Sequence, residues 1–102
     1  MSKILVTAID RDDVPPKEVS TRLRSQLNYF ASAPGSSGVP ALGENEYWFD
    51  PAEVARWVDE GVFFLVSPLD SAHTTEVELS EEQEDFLGWL LSRQVRHVRV
   101  VG

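Results

Sequence analysis

Residues 62–101, VFFLVSPLDSAHTTEVELSEEQEDFLGWLLSRQVRHVRVV, decide the fold, because three apolar patterns of different period follow one another there. Val62 to Val66 is apolar at every position, which predicts a strand covered on both faces, and Pro68 blocks further pairing. Pro68 to Thr74 is then a turn. Thr75 to Leu79 alternates, with Val77 and Leu79 on one side and Glu76 and Glu78 on the other, so a second strand presents an acidic outer face. Ser80 and Gln83 form a capping box, and Glu81, Glu82, Glu84 and Asp85 crowd a helix start where the backbone dipole favours negative charge. Phe86, Leu87, Leu90 and Leu91 give that helix its buried stripe, with Trp89 beside it as a half-exposed contact residue. Val95 to Val101 is a last strand, Val98 and Val100 pointing one way and His97 and Arg99 the other.

Working back from Val62, Gly61 suits the left-handed cap of a preceding helix. That helix opens at Asp50-Pro51-Ala52-Glu53, where Asp50 caps, Pro51 takes the first position, Glu53 completes a capping box, and Phe49 and Val54 staple the entry. Val54, Trp57 and Val58 recur at inward spacing. Before it, residues 33–49 carry Gly35, Ser36, Ser37, Gly38, Pro40 and Gly43 and end in Tyr47, Trp48 and Phe49. A loop longer than about 12–15 residues is uncommon and often functional. Pro15 and Pro16 open a first helix striped by Val19, Leu23, Leu27 and Phe30, and Ile4 to Ile9 is a β-branched first strand.

The predicted order is βααββαβ in a single α+β domain spanning residues 1–102. Two strand-helix-strand units flank a central hairpin, which predicts a two-layer, split-βαβ (ferredoxin-like) sandwich. Its four-stranded sheet carries an extra helix in the first crossover. Helices then cover one face only, yet the first two strands are apolar on both. Either the loop at 33–49 folds across the second face with Tyr47 and Trp48, or a second copy packs there as a homodimer.

The 102 residues include no cysteine, which excludes thiol nucleophiles, disulfides, thiolate zinc and iron–sulfur sites. The start MSKILVTAID is too short in apolar residues for a signal segment, and no run is long enough for a bilayer, so a cytoplasmic protein without membrane association is expected. The net charge is −8, and its distribution is uneven. From Glu44 to Asp85 thirteen acidic residues stand against Arg56 alone, while the rest of the chain carries eight basic and four acidic residues. Such asymmetry steers a basic partner towards one side. It also argues against nucleic-acid binding, as does the lack of aromatics on Ile4 to Ile9.

Candidate catalytic groups are few. Asp10, Asp12 and Asp13 lie at the end of the first strand, where α/β proteins often hold Mg²⁺ or a nucleophile. AIDRDDV resembles the D-x-D motif of haloacid-dehalogenase-like phosphatases over those residues only. That resemblance implies an aspartate nucleophile with Mg²⁺, but also downstream lysine and acidic motifs, and no lysine follows Lys17. The structural alternative is a turn and helix-entry cluster. His73 and His97 lie outside any helical metal spacing. A pairing of His97 with Ser67 or Ser71 has no G-x-S-x-G elbow beside it. PGSSG lacks the G-K-[ST] ending of a phosphate loop.

These features favour a non-catalytic protein-interaction domain, without cofactor, whose acidic half binds a basic partner. In charge and size it resembles small acidic inhibitors and immunity proteins that block nucleases. The interface residues so singled out are Glu44, Glu46, Tyr47, Trp48, Glu76, Glu78 and Trp89. A small Mg²⁺-dependent hydrolase using Asp10, Asp12 and Asp13 and a homodimeric structural module are the alternatives.

Overall fold

Ile4, Val6 and Ala8 are buried while Leu5 and Ile9 are exposed, so the first strand commits one of its two apolar faces to the core. In the computed structural model, which describes residues 3–32, 38–66, 69 and 72–101, this strand, β1 (Lys3–Ala8), is interior to a four-stranded antiparallel sheet. The order is β2-β1-β6-β3, with β2 at Lys17–Ser20, β3 at Glu46–Trp48 and β6 at His97–Val101. Ile4 faces Val19 across one ladder, and Val6 and Ala8 face Val100 and Val98 across the other, so the registers place apolar residues together on the inner face.

The α+β class with a four-stranded sheet and helices is therefore what the chain forms, but the ferredoxin-like order is not. The two strands predicted as its central hairpin, Val62 to Val66 and Thr75 to Leu79, form instead as β4 (Val62–Val66) and β5 (Thr74–Glu78), which pair with each other in a separate two-stranded sheet. Their places in the main sheet are taken by β2 and β3, from segments read as helix and loop. Lys17–Ser20 extends because the helix start is Ser20, whose hydroxyl accepts the Leu23 N–H at 3.2 Å, and α1 (Thr21–Gln26) begins only there. A 3-10 turn follows at Leu27–Tyr29. Val19, Leu23, Leu27 and Phe30 are all buried as their spacing implies, so the stripe was read correctly and its conformation was not.

The second and third helices match the sequence closely. In α2 (Pro51–Glu60) the Asp50 carboxylate accepts the Ala52 N–H at 2.9 Å, and Gly61 turns left-handed at φ 73° to close the helix. Glu53 pairs with Arg56 instead of completing a capping box, and Val58 is exposed, not inward. In α3 (Glu81–Ser92) Ser80 and Gln83 make the reciprocal capping box. The Leu79 N–H donates to the Gly61 carbonyl at 3.0 Å, which sets the end of α2 beside the start of α3. The two helices run antiparallel against the inner face of the sheet, and one continuous core joins them to β1, β6 and the hairpin.

The hairpin reaches that core by one residue above all. Phe63 is 2% exposed, its ring 4.9 Å from Phe30 and 5.9 Å from Tyr29, while Trp57 closes on Phe30 at 5.2 Å. The other side of β4 is open: Phe64 is 54% exposed, so the strand is not covered on both faces. Among the described residues the far face of the main sheet is left bare at Leu5, Ile9 and Val101, which are exposed on it. The end of the 33–49 loop joins the sheet edge as β3 and does not lie across that face; residues 33–37 are outside those described. No helix among the described residues is long and apolar enough to cross a membrane.

At the end of α3, Val95 N–H bonds to the Leu90 carbonyl at 2.9 Å and Gln94 N–H to that of Leu91 at 3.2 Å, with Gln94 left-handed at φ 57°. This is the Schellman arrangement, whose left-handed position favours glycine. Gln94→Gly is expected to raise stability by about 1 kcal/mol, since a side chain there costs roughly 1–2 kcal/mol and glycine returns part of it as chain entropy. Urea unfolding would show an increased midpoint at constant slope.

Candidate functional site

Three places carry functional chemistry, and the antiparallel run of α2 and α3 puts two of them at opposite ends of the molecule. The first is the acidic end. In the hairpin ladder Phe64 lies opposite Glu76 and Val62 opposite Glu78, so an exposed aromatic ring and two exposed carboxylates share one face. Asp59 and Glu60, also exposed, end α2 immediately before this hairpin, and Glu81 and Glu84 begin α3 immediately after it. Among the described residues no ion pair neutralises any of these six carboxylates. Other acids of the run are used internally: Glu82 accepts from the backbone and hydroxyl of Ser20, and Asp85 pairs with Lys17 at 2.6 Å. Asp59 and Glu60 also occupy the negative end of the α2 dipole with no basic residue in the last turn, a placement that costs about 0.3–1 kcal/mol for each charge.

The second place is at the β3 edge of the main sheet, on its outer side. Cross-strand pairing of β3 with β6 sets Glu46 opposite Arg99 and Trp48 opposite His97. The Glu46 carboxylate accepts from His97 Nε2 at 2.8 Å and from the Arg99 guanidinium at 3.1 Å, and its side chain is only 14% exposed. Gly43 approaches so closely that a Cβ there would stand 2.7 Å from Glu46 Oε2. Arg99, the Gly43 N–H and His97 together hold the Glu46 carboxyl below the ordinary glutamate value. Because the folded state favours the ionised form, this carboxylate contributes stability at pH above about 4.5 and loses it as the pH falls further, through its lowered value. Glu46→Gln should remove that part of the acid dependence: urea midpoints of variant and parent should converge between pH 7 and pH 3, where unchanged separation would contradict the assignment. The cluster pairs its own charges and leaves no free base, so it ties the edge strand β3 to β6.

The third place is a cleft of about 550 Å³ where the end of β1, the start of α2 and the end of α3 meet. Val54, Leu90 and Val95 form apolar walls, Trp48 lies at one side, and the guanidinium-bearing Arg11 and Arg96 line it. A second cleft of about 550 Å³ shares Trp48, Pro51 and Arg96 with it. Asp10 sits here too, with its two oxygens accepting the Arg96 and His97 backbone N–H groups at 3.0 and 3.3 Å. It thereby fixes the entry to β6 as a turn-type cap. Arg11 and Asp13 are 3.7 Å apart and Asp12 is exposed. Among the described residues no grouping of three or more carboxylates and histidines is placed to hold a metal ion.

The residues singled out in the sequence are thus divided. Glu76 and Glu78 stand on the hairpin, and Glu46 and Trp48 on the outer side of β3. Tyr47 packs half-buried against the core, and Glu44 is exposed in the turn before β3. Trp89 stacks on Phe86 with centroids 6.0 Å apart, which makes it a packing residue of α3. His73 is exposed beside β5, and Ser67 and Ser71 lie outside the described residues. Phe64, Asp59, Glu60, Arg11 and Arg96 were not read as site residues. For Phe64 a signal existed, since pairing VFFLV with the alternating TTEVE strand puts alternate residues of both on one face. Compared with known proteins, the chain matches no family model, no curated protein and no solved structure.

Proposed function

We propose that the chain is a non-catalytic interaction domain whose acidic end, built on the β4–β5 hairpin, binds a basic protein. The observation that carries this is Phe64, 54% exposed between Glu76 and Glu78 on a strand face that nothing in the described structure covers. An aromatic centre rimmed by carboxylates suits an arginine side chain. The guanidinium stacks on the ring and makes charge-assisted hydrogen bonds to the acids beside it. Unneutralised like charges repel one another, and those at the α2 terminus oppose its dipole, so the surface is built against local stability. Such a cost is expected where function selects it.

The test uses the full chain immobilised beside the variant F64A/E76K/E78K. A specific basic protein from the source cell, retained by the parent, released by salt and not retained by the variant, supports the reading. Retention by both alike, or by neither, contradicts it. A homodimer through Leu5, Ile9 and Val101 is the second reading, favoured by their exposure on the bare sheet face. A single monomeric species in sedimentation at high concentration would end it.

A further inference from the structure

We propose that the cleft between β1, α2 and α3 binds a small organic carboxylate with an apolar, ring-sized body. It lies at the other end of the helix pair from the acidic hairpin and does not depend on the reading of that surface. Its volume of about 550 Å³ falls within the range of about 300–1,000 Å³ usual for small-molecule sites. Its composition is also that of such sites, with apolar walls from Val54, Leu90 and Val95, an aromatic side from Trp48 and a few convergent polar groups.

Charge selects the ligand class. In a chain of net charge −8, this cleft gathers two guanidinium groups, Arg11 and Arg96. The carboxylate that also lines the cleft, Asp10, has both oxygens engaged by backbone N–H groups, and among the described residues it makes no hydrogen bond to either guanidinium. Arg11 is held only loosely, its Nε 3.7 Å from the Asp13 carboxylate in an ion pair without a hydrogen bond, and its side chain is 39% exposed. A ligand carboxylate meeting the guanidinium from the cleft would add a closer pairing to this loose one. The planar fork of arginine matches a carboxylate in a two-point contact. The wall also holds Gln94 at the left-handed position where the α3 cap favours glycine, which sets an amide side chain at the cleft instead of open backbone.

The experiment is a titration of the isotope-labelled full chain with 2-naphthoate, and in parallel with the uncharged naphthalene-2-carboxamide of the same shape. The expected result is saturable movement of the Arg11, Gln94 and Arg96 backbone amides and the Trp48 indole N–H with naphthoate, while Phe64, Glu76 and Glu78 stay in place. The carboxamide should bind at least about tenfold more weakly, as should naphthoate to R11Q/R96Q, a loss of about 1.4 kcal/mol. Equal binding of the two probes, unchanged affinity in the variant, or no movement at about 10 mM naphthoate would overturn the proposal. The variant's spectrum away from the cleft reports whether it remains folded.

Discussion

Phe63→Ala is expected to destabilise the protein by about 3–5 kcal/mol, and Phe64→Ala, one residue further along the same strand, by no more than about 0.5 kcal/mol. The contrast follows from how the hairpin is attached. A two-stranded hairpin alone is marginal in water, and β4 and β5 share no backbone ladder with the main sheet. Their attachment rests on inward side chains, with Phe63 against Phe30 and Tyr29, and Leu65 and Val77 partly buried beside the core. Removing the Phe63 ring leaves a cavity at the centre of that joint, whereas removing the Phe64 ring exposes little more than was exposed already. Urea unfolding gives the two energies. Hydrogen exchange should show residues 62–66 and 74–78 of the Phe63 variant losing protection before α3 does. Equal destabilisation by the two changes would mean that β4 is not packed through one face.

The second large effect is kinetic. With the basic protein retained on the parent column, E76K/E78K should associate about 10- to 100-fold more slowly at low salt, since a field of one sign raises encounter rates by factors of that order. Added salt should bring parent and variant together, because charges this exposed are screened beyond about 10 Å at 0.1 M. Phe64→Ala should leave the association rate nearly unchanged and speed dissociation, as loss of a central contact does. Were the charge reversal to act on dissociation alone, the acidic end would be a contact surface without a steering role.

Local chemistry was legible wherever it is encoded over a few residues. Asp50 with Pro51, Ser80 with Gln83, and Gly61 set the ends of α2 and α3, and each acts through groups within four residues of itself. The alternation of β6 and of β5 likewise predicted which residues are inward. What failed were decisions between distant partners. Lys17–Ser20 has the spacing of a helix entry, and only the available edge of β1 makes it a strand; Glu46–Trp48 is extended because β6 offers its free edge. The hairpin was placed in the main sheet by topology preference, although both positions beside the β1–β6 pair were taken by these two short strands. The site followed the same rule: the charge asymmetry was visible as a run from Glu44 to Asp85, but the run is not one surface. Glu82 and Asp85 are used to hold β2, Glu46 to hold β6, Asp50 to cap α2 and Glu53 to pair with Arg56, which leaves the acids around the hairpin, with Glu44, as those without an ion pair among the described residues. Arg11 and Arg96 are 85 residues apart in sequence, and only the fold brings them to one cleft.

The most direct measurement of the acidic end's role is an amide-shift map of the labelled chain saturated with the basic protein retained on the column. The expected result is perturbation centred on Phe64, Glu76, Glu78 and Glu81, with Leu5, Thr7 and Arg99 on the bare sheet face unmoved. Perturbation centred on that sheet face, with the hairpin silent, would contradict the assignment and move the binding surface to the other side of the molecule.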